Sequence, residues 1–177
     1  MNMRRRISFF GGPGSGKSTM AARVFTRLKE LHLPFELVDE AIKSMAWRKI
    51  PPEGFDSLWL FGKQIHREDV VLRSGGSVVT GGPPLQQIVY MRLRKEEFSH
   101  DLMHVAQMFE KQYPAVNILL SRNVPYSTEG RYQSNEAEAK EIDLLTRKVL
   151  DYSDVEYHVF QPQQIKEIMN LIGVPHE

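Results

Sequence analysis

The chain has no cysteine among its 177 residues. It can therefore form no disulfide and build no thiolate metal site, which suits a reducing compartment and an expected cytoplasmic localisation. It has no apolar run of the length needed to span a bilayer, so no membrane partner is expected. Net charge is nearly absent, at +1 from 23 Lys and Arg against 22 Asp and Glu. No global field then draws the protein to nucleic acid, although a local basic groove stays open. There is no repeat, low-complexity tract or linker, and a single domain over residues 1–177 with a substantial core is expected. Arg4-Arg5-Arg6 superficially suggests a twin-arginine export signal, but glycines follow where its apolar region would run. These arginines are expected to form a solvated basic start to the first strand.

What the chain does have is glycine concentrated in one place. Residues 11–18 read Gly-Gly-Pro-Gly-Ser-Gly-Lys-Ser, a full match to the phosphate-binding loop G-x-x-x-x-G-K-[ST]. Glycines permit positive φ and close approach to a ligand, and successive N–H groups then make an anion nest. The loop residues Gly12, Pro13, Gly14, Ser15, Gly16, Lys17, Ser18 and Thr19 are the expected nucleotide-binding set. Lys17 supplies a point charge for the β- and γ-phosphates, and Ser18 a hydroxyl for Mg²⁺. The flanks agree. Ile7-Ser8-Phe9-Phe10 reads as a strand, and Met20, Val24, Leu28 and Leu31 recur at helical spacing.

Beyond the loop, strands and helices alternate. Strands are expected at about 5–10, 35–38, 77–80, 116–120 and 155–160. Helices are expected at about 17–32, 40–47, 56–73, 85–112 with a break near 99–101, 135–151 and 162–172. Such alternation predicts an α/β fold with a parallel sheet covered on both faces. The ligand then sits at the carboxyl edge of the strands.

The phosphate loop, the chain length and an arginine-bearing segment before a late helix resemble the small P-loop kinases. That group includes nucleoside and nucleotide monophosphate kinases, nicotinamide riboside kinase-like proteins and phage-type kinases. The likeness rests on Leu119-Leu120, then Val124-Pro125-Tyr126-Ser127-Thr128-Glu129-Gly130-Arg131-Tyr132-Gln133, and the acidic helix after it. It implies a three-layer P-loop NTPase fold with a five-stranded parallel sheet in the order 2-3-1-4-5. It also implies a lid over about 122–135, with Arg122 and Arg131 as the arginines that stabilise the transferring group. ATP and Mg²⁺ are the implied cofactors. No N-K-x-D-like guanine-reading motif is present, which favours ATP over GTP.

A kinase acting on a hydroxyl needs a carboxylate near the acceptor oxygen and one near the metal. Strand two ends in Asp39-Glu40, so Asp39 and Glu40 are the candidates, with Asp39 also a metal ligand beside Ser18. Asp39 can equally cap the following helix. Strand three departs from the kinase pattern. It ends Thr80-Gly81-Gly82-Pro83-Pro84, with no carboxylate where such kinases commonly carry one. Either Asp39 or Glu40 carries both duties, or the acceptor is unusual, or nucleotide is bound with little turnover.

Between strands two and three, residues 47–73 are the expected acceptor region, with Trp47, Gln64 and Arg67 as substrate contacts. A glutamine amide can read a base edge, and an aromatic ring can stack on it. Trp59, Phe61, His66 and Glu68 lie in the same stretch. His100 and His104 share a helix face but lack the other parts of a zinc site and are expected at the surface. Arg92, Arg94 and Lys95 form a basic run that would touch acceptor phosphate or a strand, or simply face water. The expected function is transfer of phosphate from ATP to a nucleoside- or nucleotide-like acceptor. One alternative is a DNA kinase acting on the hydroxymethyl group of 5-hydroxymethyluracil-type pyrimidines. The other is a nucleotide-binding switch or regulatory ATPase. A homodimer is left open.

Overall fold

Strand β1, Arg6–Phe10, is buried along its whole length. A strand covered on both faces buries every position, and here that includes the polar Arg6 and Ser8. In the computed structural model, which describes residues 5–123, 132–133 and 135–174, β1 is the centre of a five-stranded sheet. Its neighbours are β3 (Ser77–Thr80) and β4 (Val116–Leu120), with β2 (Phe35–Val38) and β5 (Tyr157–Phe160) outside. The order is β2-β3-β1-β4-β5 and every pairing is parallel. This is the P-loop kinase-like order that the resemblance implies. The strand order reverses at β1, where the glycine loop emerges, so the cleft opens there.

Helix α1, Lys17–Glu30, follows the loop directly and buries Met20, Ala21, Val24 and Leu28. These pack with Ile7, Phe9, Ile118 and the last helix, α7 (Ile165–Leu171), into one core layer. On the opposite face, α4 (Pro84–Leu93), α5 (Ser99–Gln112) and α6 (Glu136–Tyr152) pack around Phe10, Leu85, Ile88, Met103 and Ile142. Short α2 (Lys43–Arg48) and long α3 (Asp56–Arg73) fill the stretch between β2 and β3.

Boundaries moved where local chemistry intervened. The break in the predicted 85–112 helix falls at 94–98, ahead of the expected position. Lys95 adopts φ 58°, and the Glu96 N–H turns back to the Met91 carbonyl, a left-handed helix stop. Asn135 begins α6 as expected, its side chain accepting from the Glu138 N–H while its amide donates to the Glu138 carboxylate, a reciprocal cap.

One expectation fails at the amino end of the sheet. Arg6 is not a solvated residue but is 1% exposed. Its Nε donates to Glu68 at 2.7 Å and its Nη1 to Glu110 at 2.7 Å, and its guanidinium lies 4.9 Å from the Phe109 ring centre. A buried cation needs such partners, since burial without them costs several kcal/mol. Charge counting could not see it because both acids lie over sixty residues away.

Candidate functional site

The glycine loop adopts the strained geometry that its composition allows. Gly14 and Gly16 have φ 78° and 93°, and α1 begins at Lys17 immediately after. Three of the loop amides are already taken, that of Ser15 by the Gly12 carbonyl at 3.2 Å. The Gly11 N–H donates to Gln86 Oε1 at 3.1 Å, and the Gly12 N–H to Asp143 Oδ1 at 2.7 Å. The helix-start amides that follow are the ones left to meet an anion. Lys17 is folded back, its Nζ 2.6 Å from the Gly11 carbonyl and 3.0 Å from that of Gly12.

Asp143 also holds Arg122. The Arg122 Nε donates to Asp143 Oδ2 at 2.9 Å and its Nη2 to Oδ1 at 3.2 Å. Arg122 therefore stands at the end of β4 against the base of the loop, with its side chain 6% exposed. A side chain at Gly12 would lie 2.3 Å from Asp143 Oδ1, so that glycine is required by the close approach of α6. Arg131 lies outside the described residues.

A cleft of about 480 Å³ opens from the loop. Its near end is formed by Pro13, Gly14, Gly16, Lys17, Ser18 and Thr19, with Glu40 beside them. Its far end is apolar and aromatic: Trp47, Pro51, Pro52, Tyr90, Leu93 and Tyr132. Arg94 lines that end, donating to Glu96 at 2.6 Å and to Ser57 at 2.7 Å. The Tyr132 hydroxyl reaches the Ile50 carbonyl. Burial pushes the Tyr132 phenol above its ordinary value, with Arg94 opposing, so it stays a neutral donor.

The two acids that end β2 part company. Asp39 is exposed and 3.5 Å from Lys43, and it does not line the cleft. Asp39, expected as a catalytic and metal-holding acid, thus stands outside the lining of the cleft. Glu40 turns inward. Its Oε1 is enclosed and has no hydrogen-bond partner among the described residues. Burial raises its carboxyl above the usual range, while Lys17 and Lys43 pull it down and Asp39 pushes it up.

The glycine pair after β3 now has a reason. A β-carbon at Gly82 would lie 2.5 Å from Glu40 Cγ and 2.8 Å from its Cβ. The space a strand-three carboxylate would fill is occupied by Glu40 arriving from β2. The Gly82→Ala protein is therefore expected to fold with the Glu40 segment displaced, because Glu40 Cγ can rotate away but its Cβ moves only with the backbone. Its transfer rate should drop by about 10²-fold, the cost of misplacing a reacting group by roughly an ångström. Steady-state kinetics beside a thermal melt would check this. A wild-type rate would show that the packing of Gly82 against Glu40 is incidental.

The remaining expectations divide. Trp47 is 62% exposed and forms a cleft wall. Arg67 is exposed and reaches the Asp39 carbonyl at 3.4 Å. Gln64, the expected base-reading residue, is fully buried, bonded within the protein and not part of the cleft lining. Phe61 and Glu68 are likewise buried, whereas Trp59 is exposed under Lys63. His100 and His104 are exposed, and no cluster of three or more metal-ligating side chains occurs among the described residues. Sequence reasoning missed Gln86, Asp143, Tyr90 and Tyr132. Only the apolar periodicity of α4 and α6 could have shown which of their residues face the loop.

Magnesium fits this donor set in its usual manner. It is held by few protein groups and by substrate phosphates, and Ser18 is exposed at the cleft. No helix among the described residues is long and apolar enough to cross a membrane.

Comparison with known proteins agrees with the fold. A family model described as an AAA domain matches residues 6–167. No curated protein matches the chain significantly in sequence. Among solved structures, the chain is similar to deoxyadenosine kinase from M. mycoides with the products dCMP and a flexible dCDP bound. The TM-score is 0.61 at 14% identity, covering 95% of this chain and 98% of that one. The same kinase with bound dATP gives 0.58 at 14% identity, covering 96% and 99%. The YorR protein from Bacillus subtilis in complex with phosphorylated GDP gives 0.58 at 16% identity, covering 95% of each chain.

Proposed function

Because the chain belongs to the AAA domain family, with residues 6–167 matching its model, we propose that it is a P-loop phosphotransferase. In this reading it moves the γ-phosphoryl group of ATP to a hydroxyl of a nucleoside- or nucleotide-like acceptor. The observation that carries the proposal is Glu40. It is an enclosed carboxylate with an unpartnered oxygen, placed between the phosphate loop and an aromatic pocket. A kinase needs such a group there to take the proton of the acceptor hydroxyl.

The chemistry follows from position. The loop amides and Lys17 hold the phosphates, and Ser18 helps to hold Mg²⁺, which neutralises phosphate charge when bound. Trp47, Tyr90 and Tyr132 enclose a flat ring, as aromatic walls do. Glu40 accepts the acceptor hydroxyl's proton as its oxygen bonds to the γ-phosphorus. The bond from γ-phosphorus to the β,γ-bridging oxygen breaks, and ADP leaves. Arg122 and Arg131 are the arginines assigned to the transferring charge, and 122–135 is assigned as the lid of a single domain.

M. mycoides deoxyadenosine kinase, by its name and bound products, acts on deoxynucleosides, which supports that acceptor class here. The test is transfer of labelled γ-phosphate across a panel of nucleosides, nucleoside monophosphates, nicotinamide riboside and DNA with normal or hydroxymethylated pyrimidines. Label on a free nucleoside or nucleotide supports the proposal. Label on DNA alone moves the acceptor into a strand. The exposed Trp47, Phe55 and Trp59 are what favour keeping that arm. ATP turnover with no labelled acceptor returns the reading to a switch or regulatory ATPase.

A further inference from the structure

Gln64 was the residue whose placement departed most from expectation, and its bonding shows what it does instead. It lies in the middle of α3, fully buried. Its Oε1 accepts from the Ala41 N–H at 3.2 Å. Its Nε2 donates to Glu68 Oε1 at 2.9 Å and to Thr80 Oγ1 at 3.3 Å. The Thr80 hydroxyl in turn accepts from the Gly82 N–H at 3.3 Å.

The orientation of the amide is forced. Reversed, its NH₂ would face another N–H at Ala41 and its oxygen would face the Glu68 carboxylate. Glu68 is held in its place by Arg6 at 2.7 Å. The direction of the Gln64 amide is therefore set by an ion pair at the far end of the sheet.

The two backbone positions that Gln64 reaches are not arbitrary. Ala41 immediately follows Glu40. Gly82 is the residue over which the Glu40 side chain lies. One buried amide thus ties the segment after β2, directly at Ala41, and the segment after β3, through Thr80. The Glu40 side chain lies between those two segments.

We propose that Gln64 is the positioning residue for Glu40, holding its carboxylate inside the cleft by clamping the segments on either side of it. The proposal deepens the kinase reading and rests on it for the use to which Glu40 is put. The placement itself can be tested without any acceptor.

The experiment is carbodiimide-driven labelling of carboxyl groups with glycine ethyl ester on the whole protein, read residue by residue by fragment mass spectrometry. In the wild type, Glu40 is expected to label slowly and exposed Asp39 quickly, which makes Asp39 an internal standard. In Gln64→Met, which keeps volume but cannot hydrogen-bond, Glu40 labelling should rise at least about tenfold, because all three bonds of the amide are lost and one of ordinary strength is already worth about that factor. Asp39 should not change, and Glu110 should stay protected, which shows that the fold is kept. Thr80→Val, which removes the hydroxyl that accepts from both Gln64 and Gly82 but leaves the bonds of Gln64 to Ala41 and Glu68, should raise Glu40 labelling by a smaller factor.

On transfer to an acceptor, Gln64→Met should lower kcat about tenfold and leave both KM values within about twofold. Placed in a Glu40→Gln background, it should cost nothing further, because the group it positions is gone. Unchanged Glu40 labelling in a folded Gln64→Met protein overturns the proposal. So does a full multiplicative loss in the double variant. If Glu40→Gln alone transfers at the wild-type rate, the catalytic reading of Glu40 falls, and the labelling still decides whether Gln64 places it.

Discussion

Lys17→Ala is expected to lower kcat for phosphoryl transfer by about 10²–10³-fold, the loss found when one preorganised charge donor is removed from a developing anion. The structure explains why no neighbour can substitute. Lys17 is 7% exposed and its ammonium sits on the carbonyls of Gly11 and Gly12. The ammonium is thus stored within the loop, a short swing from where the phosphates lie. Lys43 stands beside Asp39. Lys17→Arg should be nearly as inactive, because a planar fork cannot fit where a compact ammonium is cradled by two carbonyls. The measurement is labelled γ-phosphate transfer by wild type and both variants, with circular dichroism to confirm the fold. Retention of activity within about tenfold by Lys17→Ala would remove the loop from the mechanism.

The fold was legible because its signals are local. A glycine loop between an apolar run and a helical period fixes strand, turn and helix with little help from elsewhere. The alternation that follows leaves few topologies. The site was legible where a motif fixes it and opaque where the fold brings distant residues together. Glu40 could be proposed from its position at a strand end, but not separated from Asp39. Which of two adjacent acids turns inward depends on the room above Gly82, forty-two residues away in sequence. Gln64 and Arg67 share a helix face by spacing, yet one is buried and the other exposed. The difference is Glu68 behind Gln64, brought there by Arg6. The absence of an acid after β3 looked like a defect in the catalytic set. It is the space that admits the acid from β2.

Glu40→Gln is expected to lower kcat by about 10²–10⁴-fold, the range for losing a positioned proton acceptor, with ATP KM little changed. Glutamine keeps the shape, and Gly82 leaves room for either side chain. What is lost is the ability to take the acceptor's proton. The pH dependence gives a second, independent signature. Burial raises the Glu40 carboxyl, opposed by Lys17 and Lys43 and reinforced by Asp39. As a base it works only when ionised, so the rate should rise with pH through a limb above the ordinary carboxylate value. That limb should vanish in Glu40→Gln. Stability should move the other way. A carboxyl raised in the folded state favours folding below its unfolded value of 4.5, and that contribution is lost as pH climbs through the folded value. The wild type should then lose stability relative to Glu40→Gln over the same pH interval in which it gains activity. Urea midpoints and kcat/KM, which reports groups of the free protein, measured on one pH series would show the two curves crossing. Parallel curves, or a limb that survives the substitution, would assign the proton to another group.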